Sequence, residues 1–127
     1  MEYVYFNPNP KGKDTGDCVV RALSILLDLA WYDVFTDLCS LAFEMCEMPS
    51  SNNVWGRYLQ QKGFKRYPLP DYCPLCYTVE DFCRENPKGE FLLALNEHVV
   101  YVLNGRYYDS WDCGKKIPLF VWKEKEQ

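Results

Sequence analysis

Hydrophobic residues recur at helical spacing along the first half of the chain. The apolar positions within residues 19–27 fall at the i, i+3, i+4, i+7 and i+8 spacing of a helix with one buried stripe. Asp17 is the expected cap, so this helix is predicted to begin at Cys18. The other predicted helices are one capped by Asp33, one capped by Ser50 or Ser51 that stops at Gly63, and a short one capped by Thr78.

The second half changes to the two-residue period of β-strands. Asn104-Gly105 supplies the pair of positive φ angles that a two-residue type I′ hairpin needs. We therefore predict an α+β fold in one domain over 1–127, with an N-terminal helical half packed on a C-terminal antiparallel sheet. The predicted strands are residues 2–6, 64–69, 91–95, 98–103, 106–111 and 117–122.

Composition and charge exclude several classes of function. Hydrophobic residues make up 48% of the chain, enough to form a core, and the net charge of 14 minus 18, or −4, comes with scattered basic residues. Nucleic acid is therefore not an expected partner. Apolar runs are too short to cross a membrane, and the N-terminus lacks the layout of a secretory signal, so we expect a cytoplasmic protein.

The chain carries seven cysteines, an odd number. Without an export signal they are expected to be free thiols rather than a disulfide framework. Cys73 and Cys76 have the spacing of half a zinc site, which Cys83 and Cys113 would complete, but a second C-x-x-C pair is missing. Zinc is thus the weaker alternative, and we expect neither a metal nor a cofactor.

Cys18 is the strongest candidate for a nucleophile. A cysteine in the first turn of a helix is favoured as a thiolate by the positive end of the helix dipole and by unpaired backbone N–H groups. The competing interpretation is an inert small residue behind a capping aspartate, which is common in proteins. A neighbouring general base decides between the two.

The only histidine, His98, opens a predicted strand. If Asn104 and Gly105 form the turn, Val100 lies opposite Asp109, and His98 lies opposite Trp111 on the face that Asp109 shares. Asp109 is then a diagonal neighbour within reach of the imidazole. We predict that His98 is the general base and that Asp109 orients it.

Asp112 falls on the other face and is the weaker candidate for the acid. Trp111 is expected to shield the bond between His98 and Asp109 from water.

These segments resemble a known family of thiol enzymes. Residues 15–23 (TGDCVVRAL), 98–102 (HVVYV) and 107–112 (YYDSWD) are similar to small papain-like proteins encoded in phages and gut bacteria, and to the leader-peptidase domains of bacteriocin transporters. The resemblance implies a papain-like fold and a cysteine peptidase in which Cys18 forms a thioester with a peptide or protein substrate. It leaves open an amidase, a transferase, or an inactive scaffold that binds a protein, such as a phage-encoded inhibitor of a host protein.

One departure from the papain-like pattern concerns the oxyanion hole. Papain-like peptidases carry a glutamine shortly before the cysteine, whereas the first glutamine here is Gln60. Asn7, Asn9 or Thr15 can supply the side-chain donor, and we favour Asn9. The backbone N–H of Cys18 is the expected second donor.

Overall fold

Four helices and a six-stranded sheet are formed by the residues that the computed structural model describes, 2–69 and 77–125. Within these ranges every helix falls short of the length and apolar character needed to cross a bilayer. In chain order the elements are β1 (Tyr3–Tyr5), α1 (Cys18–Leu27), α2 (Trp31–Met45), α3 (Asn52–Gln61), β2 (Phe64–Pro68), α4 (Val79–Glu85), β3 (Glu90–Leu95), β4 (His98–Leu103), β5 (Arg106–Asp109) and β6 (Pro118–Glu124).

Side-chain caps are present at two of the four helix starts, those of α3 and α4. The prediction that α1 begins at Cys18 is confirmed. Ser51 caps α3 by accepting a hydrogen bond from the backbone N–H of Asn53. Thr78 and Asp81 form a reciprocal capping box at the start of α4, because each side chain accepts a hydrogen bond from the backbone N–H of the other residue.

The cap predicted for the second helix is wrong. Helix α2 begins at Trp31 with Ala30 as its N-cap, so Asp33 lies inside the first turn. A carboxylate in the first turn is stabilised by the positive end of the helix without capping it. Asp33 therefore lies near the N-terminus of the helix, as predicted, but does not cap it.

The sheet is mixed, with strand order β1-β5-β4-β3-β6-β2. The neighbours from β5 to β2 pair antiparallel, as predicted, but β1 pairs parallel to β5, with Tyr5 beside Asp109. Strand β1 also comes from the N-terminal half, so the prediction of a purely antiparallel, C-terminal sheet is wrong. A parallel pair between strands far apart in the chain leaves no local turn signal that sequence can show.

Helices cover both faces of the sheet. Helix α1 packs against β4 on the face of Val99 and Tyr101, α2 packs on α1 and α3, and α3 packs on β2. Helix α4 lies on the other face, in one hydrophobic cluster with Val100 and Val102. Helix α1 is buried along most of its surface, and Leu23 at its centre is fully buried. This packing fixes the first residue of α1 beside the start of β4.

The β4–β5 hairpin has the predicted turn and register. Asn104 and Gly105 both have positive φ, and Val102 lies opposite Tyr107. Strand β5 ends at Asp109, two residues before the predicted end.

Candidate active site

Cys18 begins α1 with its side chain half-buried. Burial raises the pKa of its thiol, but hydrogen bonds from the His98 side chain and the Val99 backbone N–H, with the charges of His98 and Arg21, outweigh that effect. The net pKa of the thiol therefore lies below its ordinary value. A thiol of this kind is ionised more readily than an exposed one.

The Val99 donor results from the early end of β5. Strands β4 and β5 pair from Leu103 only as far as Tyr101, opposite Tyr108. In an antiparallel ladder Val99, two residues before Tyr101, directs its N–H toward the same neighbouring strand. Since the ladder stops there, this N–H donates to the sulfur of Cys18 instead.

His98 lies between Cys18 and Asp109. Its Nε2 is 2.5 Å from Oδ2 of Asp109, which leaves Nδ1 as the nitrogen for the thiol. Burial lowers the pKa of His98, but the bonds and charges of Asp109 and Cys18 outweigh it and raise the pKa to about 9. Trp111 packs on the imidazole with 4.7 Å between ring centroids. The shared face predicted for His98 and Asp109 is thus confirmed.

Asp109 is held in place from several directions. It is only 2% exposed, and its Oδ1 accepts hydrogen bonds from the Ser110 backbone N–H at 2.7 Å and from Nη2 of Arg21 at 3.3 Å. The other nitrogen of the guanidinium, Nη1, forms an ion pair with Asp17. Arg21 therefore joins the helix start to the carboxylate behind His98.

Sequence reasoning did not identify Arg21 as part of the site. Arg21 follows Cys18 by three positions and Asp17 by four, which places all three on one side of a helix. A charged residue inside a buried stripe is the signal that was available, because a buried arginine needs acidic partners. The Val99 donor had no comparable signal.

Asn9 lies beside the start of α1, and its side chain is already engaged in hydrogen bonds. Its Nδ2 donates to Oδ2 of Asp17 at 3.2 Å, and its Oδ1 accepts from the backbone N–H groups of Lys11 and Lys13. Trp31 Nε1 donates to the same oxygen of Asp17 at 2.8 Å. Asn9 thus ties the preceding loop to α1, and its role in an oxyanion hole stays a prediction.

The Asp17 side chain makes no capping bond to α1. Burial raises the pKa of Asp17, but the hydrogen bonds from Trp31 and Asn9 and the charge of Arg21 outweigh it, so the pKa is lowered and the group is a carboxylate. The backbone N–H of Cys18 belongs to the first turn, where donors have no intrahelical partner. Its role as the second donor of an oxyanion hole stays a prediction.

Two other predicted residues have different neighbours. Asp112 accepts hydrogen bonds from the Tyr107 hydroxyl and, at 3.0 Å, from the backbone N–H of Gly114, so it stabilises the turn after β5 and does not contact His98. Asn7 donates to the backbone carbonyl of Lys13 within the N-terminal loop.

One set of possible metal ligands overlaps this site. Ligand atoms of His98, Asp109 and Cys113 lie within 4.8 Å of one another, but in the structure His98 and Cys113 both hydrogen-bond to Asp109. Burial raises the pKa of the Cys113 thiol, so it remains protonated. Cys73 and Cys76, the half zinc site, lie outside the described residues, and Cys83 is buried in α4.

Comparisons with protein-family models, with curated proteins and with solved structures find no match to this chain. A polarised thiol, an imidazole and a buried carboxylate in one network are the groups required for nucleophilic attack on a carbonyl carbon.

Proposed function

We propose that this chain is a cytoplasmic cysteine hydrolase of the papain-like type, which cleaves a peptide or isopeptide bond through a thioester on Cys18. The observation that carries this proposal is the position of His98, which bonds Cys18 on one side and the buried Asp109 on the other. Such an arrangement stabilises a thiolate–imidazolium pair.

The proposed reaction has two steps. The Cys18 thiolate attacks the carbonyl carbon, a C–S bond forms, and His98 donates its proton to the nitrogen of the leaving amine as the C–N bond breaks. Water then attacks the thioester and passes a proton to His98, which releases the acid and restores the thiolate. The backbone N–H of Cys18 stabilises the oxyanion in both steps, and Asp109 positions the imidazole through Nε2.

Two further observations support the papain-like assignment and the compartment. The nucleophile opens a helix, whereas the base and the acid lie on neighbouring strands later in the chain, which is the papain-like order. The five cysteines within the described residues are free thiols, as expected in a reducing compartment.

Selective alkylation tests the proposal. At pH about 6 an ordinary thiol with a pKa of about 8.5 is only about 0.3% ionised. Iodoacetamide should therefore modify Cys18 at least about tenfold faster than Cys46, an exposed free cysteine that serves as an internal control. Labelling of each cysteine is quantified by peptide mass spectrometry.

A matched variant isolates the role of the imidazole. His98→Asn should slow the labelling of Cys18 to the rate of Cys46 while leaving Cys46 unchanged. If Cys18 reacts no faster than Cys46 in the unaltered protein, the proposal of a hydrolase is wrong, and a scaffold that binds a protein partner is the better interpretation.

A further inference from the structure

A groove of about 600 Å³ begins at His98. Three large apolar side chains line it while remaining exposed to solvent: Trp111 at 40%, Ile117 at 37% and Leu119 at 45%. Apolar side chains that are exposed together mark a binding surface more often than those exposed singly. The groove is thus an apolar surface in direct contact with the proposed general base.

The charged residues of this groove do not favour either sign of ligand. Glu97 and Lys116 both line it and carry opposite charges, and Lys115 is paired with Glu80 at 2.9 Å. Apolar contact is therefore the main source of selectivity that the groove offers.

The position of His98 decides which part of a substrate enters the groove. A general acid must lie within hydrogen-bond reach of the nitrogen that it protonates, so the leaving amine lies on the His98 side of the scissile bond. The residue that carries this amine then continues past the imidazole and its neighbour Trp111. Trp111, Ile117 and Leu119 line the groove that begins there.

Resting on the proposed function, we infer that the groove binds the leaving-group side of the substrate and selects amides whose leaving amine carries a large apolar side chain, such as that of leucine. The amine is expelled when the C–N bond breaks and takes its proton from His98. In the reverse direction, the same groove binds an amine that attacks a thioester on Cys18.

The reverse direction gives a test that needs no knowledge of the acyl part of the substrate. p-Nitrophenyl acetate acetylates the thiolate of Cys18, since a C–S bond forms and nitrophenolate leaves. Once the thiolate is consumed, His98 releases its proton to water. Leucinamide or glycinamide then attacks the thioester carbonyl: the C–N bond forms, the C–S bond breaks to restore the thiolate, and the amine passes its proton to the neutral imidazole of His98. With equal concentrations of both amides, the two N-acetyl products are counted by mass spectrometry.

The amount of each product that Cys18→Ser gives is first subtracted, which removes uncatalysed acetylation. The remaining ratio is then divided by the Cys18→Ser ratio, which corrects for the different intrinsic reactivity of the two amines. Partial burial of a leucine side chain predicts a corrected preference of about tenfold for leucinamide. Leu119→Ser and Ile117→Ser should each move this ratio toward one. Phe43→Ser, which removes an 85% exposed apolar side chain from α2 outside the groove, should leave the ratio unchanged.

The outcomes separate the two proposals. Acetylation of Cys18 with a corrected ratio near one overturns the inference about the groove but leaves the hydrolase standing. The groove is also excluded as the source of selectivity if the preference for leucinamide is unchanged in both Leu119→Ser and Ile117→Ser. If Cys18 is not acetylated at all, the proposed function fails and this inference fails with it.

Discussion

Replacement of Arg21 by methionine tests the charge network beneath the site. Arg21 is 4% exposed and contacts two carboxylates that are themselves buried, Asp17 at 8% and Asp109 at 2%. Arg21→Met keeps the length of the side chain but removes its charge. Asp17 then loses its cationic partner, and Asp109 keeps only His98, in a region from which water is largely excluded.

The expected loss of stability follows from breaking a buried ion pair, which typically costs about 3–5 kcal/mol. Asp17 keeps its hydrogen bonds from Asn9 and Trp31, so we expect the lower end, about 3 kcal/mol. For a domain with a free energy of unfolding of about 5–15 kcal/mol this is a large fraction. Arg21→Lys keeps one charge but loses the bridging geometry, and should lose about half as much.

Urea unfolding followed by tryptophan fluorescence measures these losses, and the pH dependence of Cys18 alkylation gives a second measurement. The charge of Arg21 lowers the pKa of Cys18, so Arg21→Met should move the midpoint of the alkylation profile to higher pH, and Arg21→Lys should move it less. An Arg21→Met protein with a free energy of unfolding within about 0.5 kcal/mol of the original and an unchanged profile would refute the network.

Three further predictions concern the triad and its helix. Asp109→Asn should lower turnover by orders of magnitude with the fold retained, because it removes the charge that holds the imidazolium, whereas Asp112→Asn should affect thermal stability more than turnover. Leu23→Ala should lower the free energy of unfolding by about 2–5 kcal/mol in urea titrations, whereas Cys18→Ala, at the half-buried helix start, should change it little. Turnover should rise with pH through the lowered pKa of Cys18 and fall again near pH 9, where His98 loses its proton; a profile that keeps rising above pH 9 would contradict the ion pair.

The parts of the fold that sequence predicted correctly depend on short-range chemistry. The side chains of Ser51 and Thr78 each accept a hydrogen bond from a backbone N–H within three residues. The starts of α3 and α4 are therefore determined by local sequence. Asn104-Gly105 fixes the hairpin register, and from that register the shared face of His98 and Asp109 follows.

The features that sequence did not predict depend on contacts between distant segments. The parallel pairing of Tyr5 with Asp109 joins strands from opposite ends of the chain, and no turn residue predicts it. The bond from Arg21 to Asp109 likewise spans 88 positions. The Val99 donor exists because a strand ends early, which depends on how the loop after β5 packs and not on any residue type.

The Val99 N–H and the His98 imidazole that lower the pKa of the Cys18 thiol both belong to β4, far along the chain from α1. During synthesis Cys18 leaves the ribosome well before either of them, so the nascent chain carries an ordinary thiol. The thiol becomes reactive only when the late strands close on α1. Acid-pH alkylation of Cys18 is consequently a chemical reporter of the native state, which distinguishes folded from unfolded molecules in a mixture by one modified residue.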